Sequence, residues 1–89
     1  MDEYLAVSTY DDARFQIHTY RVNFENRSLT RTQTFDVDGD VTCLSFGPGH
    51  AVMAGIWKDG RAFLGRGQPQ LPTDQEAADL AMTDISQGQ

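Results

Sequence analysis

Cysteine is nearly missing from this chain: Cys43 is the only one in 89 residues. A single thiol excludes an internal disulfide framework and a cysteine-built zinc site, and it makes a reducing compartment the default expectation. Long apolar runs are also missing. The longest, Ala51 to Trp57, falls well short of the roughly 18 residues that a membrane-spanning helix needs. Met1-Asp2-Glu3 is acidic where the basic n-region of a secretory signal belongs. Basic charge is in short supply, with 7 Lys and Arg against 13 Asp and Glu, a net charge of −6 and a pI near 4.5. A balance of that sign argues against non-specific attraction to nucleic acid.

What is present suits one small globular unit. Hydrophobic residues make up 39% and charged residues 22%, which places the chain among folded rather than disordered sequences. At this size the core is thin, because a short chain buries only about 60–65% of the surface its unfolded form exposes. The charge is unevenly distributed. Residues 1–13 hold four acids and no base, and residues 67–89 hold Asp74, Glu76, Asp79 and Asp84 with no base. Between them, residues 14–35 hold Arg14, Arg21, Arg27 and Arg31 against Glu25 alone.

Most of the chain reads as strand following strand. Tyr4 to Tyr10 is rich in aromatic and β-branched residues and stops at Asp11-Asp12. Arg14 to Phe24 carries Phe15 and Ile17 on one parity and Tyr20, Val22 and Phe24 on the other, which predicts a bulge near His18-Thr19. Glu25-Asn26-Arg27 is a turn. Leu29 to Phe35 follows, with threonines 30, 32 and 34 expected on a solvent face. Asp38-Gly39 predicts a hairpin into Val41–Phe46. The almost wholly apolar run from Ala51 to Trp57 predicts a strand covered on both faces. Lys58-Asp59-Gly60 then turns the chain into Arg61–Leu64, the sixth strand. Beyond it, Gly65 to Pro72 predicts a loop. Thr73 and Glu76 form a capping box for a short helix over 74–83, and Ser86 to Gln89 reads as a disordered end.

Residues 5–17 lie over residues 52–64 without a gap, at an offset of 47. Tyr10 meets Trp57, Asp12 meets Asp59, Arg14 meets Arg61 and Ile17 meets Leu64. A period near 47 falls between the roughly 40–45 of WD-type blades and the roughly 50 of kelch blades. The Trp-Asp dipeptide that closes a WD unit is missing, and Leu64-Gly65-Arg66 stands in its place.

Three stretches then resemble a known family: Phe15-Gln16-Ile17-His18, Asp40 to Phe46, and Ala51 to Leu64, the last with its Ala54-Gly55-Ile56-Trp57-Lys58-Asp59 run. They look like the multi-propeller scaffold proteins. Those include the large subunits of the UV-damaged-DNA-binding complex and of the cleavage and polyadenylation specificity factor, and a propeller subunit of a branch-site splicing factor. The resemblance covers about residues 4–64. It implies an all-β fold of about one and a half WD-like antiparallel β-propeller blades; residues 65–89 do not follow the family and read from their own residues as loop, short helix and tail. It implies a nuclear, non-catalytic protein–protein scaffold serving DNA repair, ubiquitin-ligase adaptation or mRNA processing. Protein partners would then lie in a larger complex, nucleic acid would be met only through that assembly, and no membrane is involved.

The residues offer little chemistry of their own. Asp36, Asp38 and Asp40 alternate like the start of a calcium loop, but the required glycine and glutamate positions hold Val41 and Gly47. His18 and His50 lie in different elements, and no third ligand stands near them in sequence to complete a zinc site. No G-x-S-x-G elbow surrounds Ser8 or Ser45. Gly65-x-Gly67 lacks the lysine of a phosphate loop. Cys43 is expected to be buried, and His18 to be half-buried and to bond backbone or a neighbouring threonine. No catalytic, metal or cofactor residue is therefore named. Trp57 and Tyr10 are expected as core or as partner anchors, and Arg21, Arg27 and Arg31 as partner contacts or solvated strand faces. The alternatives are a free-standing small all-β domain and a metal-binding or enzymatic propeller fragment.

Overall fold

The computed structural model describes residues 3–68 and 78–86. Strands dominate these residues, and they hold no α-helix. Six strands fill the first part of the chain: β1 (Glu3–Asp11), β2 (Arg14–Asn23), β3 (Ser28–Val37), β4 (Asp40–Phe46), β5 (Val52–Lys58) and β6 (Arg61–Gly67). Two short strands follow, β7 (Ala78–Asp79) and β8 (Ala81–Asp84), and one 3-10 turn, Pro48–His50, links β4 to β5. The strands form two four-stranded sheets, in the orders β1-β2-β3-β7 and β4-β5-β6-β8. Every pair is antiparallel except β3 with β7.

A single apolar cluster joins the two sheets. Ile17, Phe35 and Val37 come from the first sheet, Val52, Ala54 and Ile56 from the second, and Ala78 and Leu80 from the end of the chain. The largest fully buried side chains are Phe35, Ile17, Ile56 and Val52. Removing one such side chain from water is worth about 1.5–3 kcal/mol, so these four set the stability of a chain this small.

Both hairpin turns in the repeated segment take the same form. Asp12 and Ala13 have φ of 52° and 60°, and Asp59 and Gly60 have 53° and 75°. Two successive left-handed residues are the signature of a type I′ turn, which matches the twist of the strands it joins. The aspartates are there because they tolerate that conformation. Neither side chain bonds its own turn among the described residues. The repeat stops at the hairpin. Leu5 and Val7 face away from the core, whereas their equivalents Val52 and Ala54 lie in it. The first copy occupies positions one and two of its sheet, and the second occupies positions two and three.

Several expectations are corrected. Asp38-Gly39 does not close a hairpin, because β3 and β4 belong to different sheets. The glycine is needed for close approach: a Cβ on Gly39 would sit 2.7 Å from Ile56 Cγ2. The register irregularity lies where β2 meets β3, but the extra residue is Thr32 on β3, between the pairs Thr19–Gln33 and Tyr20–Arg31. β2 runs regularly against β1 throughout, so its change of parity reflects apolar residues on both faces. The bulge also splits the threonines. Thr34 shares the outward face with His18, while Thr30 lies opposite Arg21 on the other face.

β5 is covered on one face only. Val52, Ala54 and Ile56 are buried, Met53 and Gly55 are half-buried, and Trp57 is exposed. The tail departs furthest from expectation. Gly65 to Gly67 continue β6, and Ala78–Asp79 and Ala81–Asp84 are strands rather than helix. Ala78 and Leu80 are buried and Met82 packs against the core, a period of two that the helical spacing of Ala77, Leu80, Ala81 and Asp84 masks. Two open sheet edges offer this segment more than a short isolated helix can. Ser86 is also held in place. Its hydroxyl accepts from the Ala62 N–H at 2.6 Å and donates to the Ala62 carbonyl at 3.2 Å. The predicted capping box at Thr73 and Glu76, the loop beyond Gln68 and the end beyond Ser86 lie outside the described residues.

Candidate partner-binding surfaces

Residues opposite one another in a sheet share a face, so the register sorts every strand into an inner and an outer set. On the outer face of the first sheet, Leu5 lies opposite Tyr20, Val7 opposite His18, and Val22 opposite Leu29. Leu5, Val7 and Leu29 are exposed, and Tyr20 and Val22 are half-buried. This sheet therefore carries apolar residues on both faces. One face holds the core and the other is open. The outer face of the second sheet carries Met53, Trp57, Ala62 and Leu64 in neighbouring positions on β5 and β6.

His18 is a buried titratable group on the outer face of the first sheet. It is 9% exposed and bonds Thr9 Oγ1 at 3.2 Å and Thr34 Oγ1 at 3.0 Å, as its threonine neighbours predict. Burial, followed by the charge of Arg31, pushes its pKa below the ordinary histidine value.

The five sequence-predicted contact residues fall into separate places. Trp57 is 50% exposed on the outer face of β5, so it is an anchor candidate and not a core residue. Tyr10 is 56% exposed and stacks on Phe15, with ring centroids 4.5 Å apart and planes 17° from parallel. These two residues sit on different sheets and form no common site. Arg21, Arg27 and Arg31 do come together in one element, the far end of the β2–β3 hairpin. Arg21 lies on β2, Arg27 in the turn with φ of 55°, and Arg31 on β3. No residue from 20 to 32 is buried, so this half of the hairpin reaches past the core.

The remaining basic residues behave differently. Arg14 pairs with Asp36 at 3.0 Å, Lys58 pairs with Asp38, and Arg61 pairs with Asp84 at 2.9 Å. The hydrogen bond from Gln16, with help from Arg14, holds the Asp36 carboxyl below its usual range. Arg66 faces the Gln68 amide. Arg21, Arg27 and Arg31 have no ion-pair partner among the described residues. The arginine run in the sequence pointed to this cluster. The outer apolar face is not legible from the sequence, because its residues read as a second core-facing parity.

Cys43 is exposed, against expectation. β4 is an edge strand, and the register shift at Thr42 puts Cys43 opposite Gly55 on the outer face. Of the concave regions among the described residues, two stand out. One, of about 260 Å³, lies between the sheets and is lined among others by Tyr4, Phe35, Phe46 and His50, with Thr19 and Thr32 as polar residues. The other, of about 420 Å³, is lined by Asp36, Asp38 and Asp79 with Val37, Leu80 and Met82. Among the described residues no group of three or more His, Cys, Asp or Glu is placed to hold a metal ion, and no helix is long and apolar enough to cross a membrane. Compared with protein-family models, curated proteins and solved structures, the chain matches none.

Proposed function

We propose that this chain is a non-catalytic protein–protein interaction module, a scaffold segment that works by packing its outer sheet faces against neighbouring protein. The observation that carries this reading is the open apolar face of Leu5, Val7, Tyr20, Val22 and Leu29. A sheet that already has a core on one face has no folding need for apolar residues on the other. Exposed apolar patches of this kind mark interaction surfaces.

The finer reading is a nuclear multi-propeller scaffold in DNA repair, ubiquitin-ligase adaptation or RNA processing, with nucleic acid met through the wider assembly. Its support is the resemblance over residues 40–46 and 51–64, and the shared layout of the two sheets, each a three-strand meander with a fourth strand added. The next blade would then cover the open face. The parallel β3–β7 pair and the reversed faces of the repeat weigh against blade equivalence. One observation favours a second reading, a free-standing small all-β domain: residues 78–84 add a strand to both sheets and bury Ala78 and Leu80 between them.

A neutral solvatochromic dye such as Nile red tests the surface. The native chain is expected to bind it, and Leu5→Lys with Leu29→Lys to abolish binding without loss of the folded signal. No dye binding by the native chain would count against the proposal.

A further inference from the structure

The β2–β3 hairpin end combines three features that its fold does not require. Arg21, Arg27 and Arg31 stand against Glu25 alone in residues 20–32, a local excess of positive charge on a chain of net charge −6. Elsewhere Arg14, Lys58 and Arg61 are each neutralised by an aspartate, and among the described residues these three arginines are not. Phe24 is 73% exposed and Leu29 59% exposed, so apolar side chains stand among the unpaired guanidinium groups.

We propose that this hairpin end docks an acidic, extended segment of a partner protein that also carries apolar side chains. This rests on the reading of the chain as an interaction module and names the chemistry of one partner. The recognition follows from the groups present. Guanidinium forks bind carboxylates in paired, charge-assisted hydrogen bonds. Arg31, Val22 and Leu29 share the outer face, Arg27 sits at the tip, and Arg21 lies on the reverse face. A segment crossing the tip meets all three charges and lays its apolar residues against Leu29 and Phe24. Nucleic acid fits less well. Its affinity grows with the number of phosphates neutralised, and three arginines supply few such contacts while the rest of the molecule repels a polyanion. A short acidic peptide needs to meet only the hairpin.

The test uses fluorescence anisotropy with a fluorescein-labelled peptide of repeating Glu-Leu-Asp units, and labelled oligothymidine in parallel. The peptide is expected to bind the native chain, with affinity falling as salt rises. Arg27→Glu with Arg31→Glu should weaken binding by about tenfold or more, which corresponds to about 1.4 kcal/mol, and leave the thermal midpoint unchanged. A peptide with Lys in place of Glu and Asp should bind that variant better than the native chain. Absent peptide binding, binding that ignores the arginine replacements, or tighter binding of oligothymidine would each overturn the proposal. If the peptide fails while Nile red still binds the outer face, the docking inference falls and the interaction-module reading stands.

Discussion

His18 shows how a single residue couples the outer face to pH. Its pKa is lowered by burial and then by Arg31, so the unfolded chain takes up a proton at higher pH than the folded one. Stability therefore rises with pH while the unfolded histidine titrates, and levels off once it is neutral in both states. Acidification from about pH 7 to 5 should lower the thermal midpoint, and His18→Gln should flatten that slope. Asp36, with its pKa held low, contributes in the same sense at more acidic pH: its stabilisation is present above its unfolded pKa and is lost as pH falls through the folded one. An unchanged slope in His18→Gln would show that another group dominates. Cys43 gives a second residue-scale check. Exposed on the outer face of an edge strand, it should react with a thiol reagent in the native state nearly as fast as in denaturant. Strong native protection would mean that β4 is covered.

At the scale of elements, the two I′ hairpins differ by one residue. Gly60 adopts a φ of 75° freely, whereas Ala13 holds a φ of 60° with a Cβ. A left-handed conformation costs an L-residue roughly 1–2 kcal/mol. Part of that is offset because glycine loosens the unfolded chain. Ala13→Gly should therefore raise stability by about 0.5–1 kcal/mol in urea unfolding, and a loss of stability would show that the turn is not I′. These hairpins were the most legible part of the sequence, since Asp-Gly and Asp-Ala between alternating strands encode local geometry. The same Asp-Gly signal misled at 38–39, where close packing on Ile56 demands the glycine and the chain crosses between sheets. The tail was least legible. Ala78, Leu80 and Met82 occupy sheet edges that exist only after the two meanders have formed, and a local reading of caps and helical spacing has no access to such edges. Among the candidate contact residues, the grouping of the arginines was visible as charge. The exposure of Trp57 and Cys43 depends on a strand order that spacing does not reveal.

For the molecule as a whole, one core serves two sheets, residues 78–84 contribute a strand to each, and apolar surface is left over on both outer sides. The closing strands and the single core predict one cooperative transition. The outer faces predict association, since surface of that kind on a two-sheet unit is covered by protein where the unit works. Sedimentation velocity of the 89-residue chain over a wide concentration range tests this most directly. The account predicts a weight-average mass that rises with concentration and returns to the monomer value in Leu5→Lys with Leu29→Lys. A monodisperse native monomer at every concentration, with a thermal midpoint above about 60 °C as for a self-contained mesophilic domain, would contradict it.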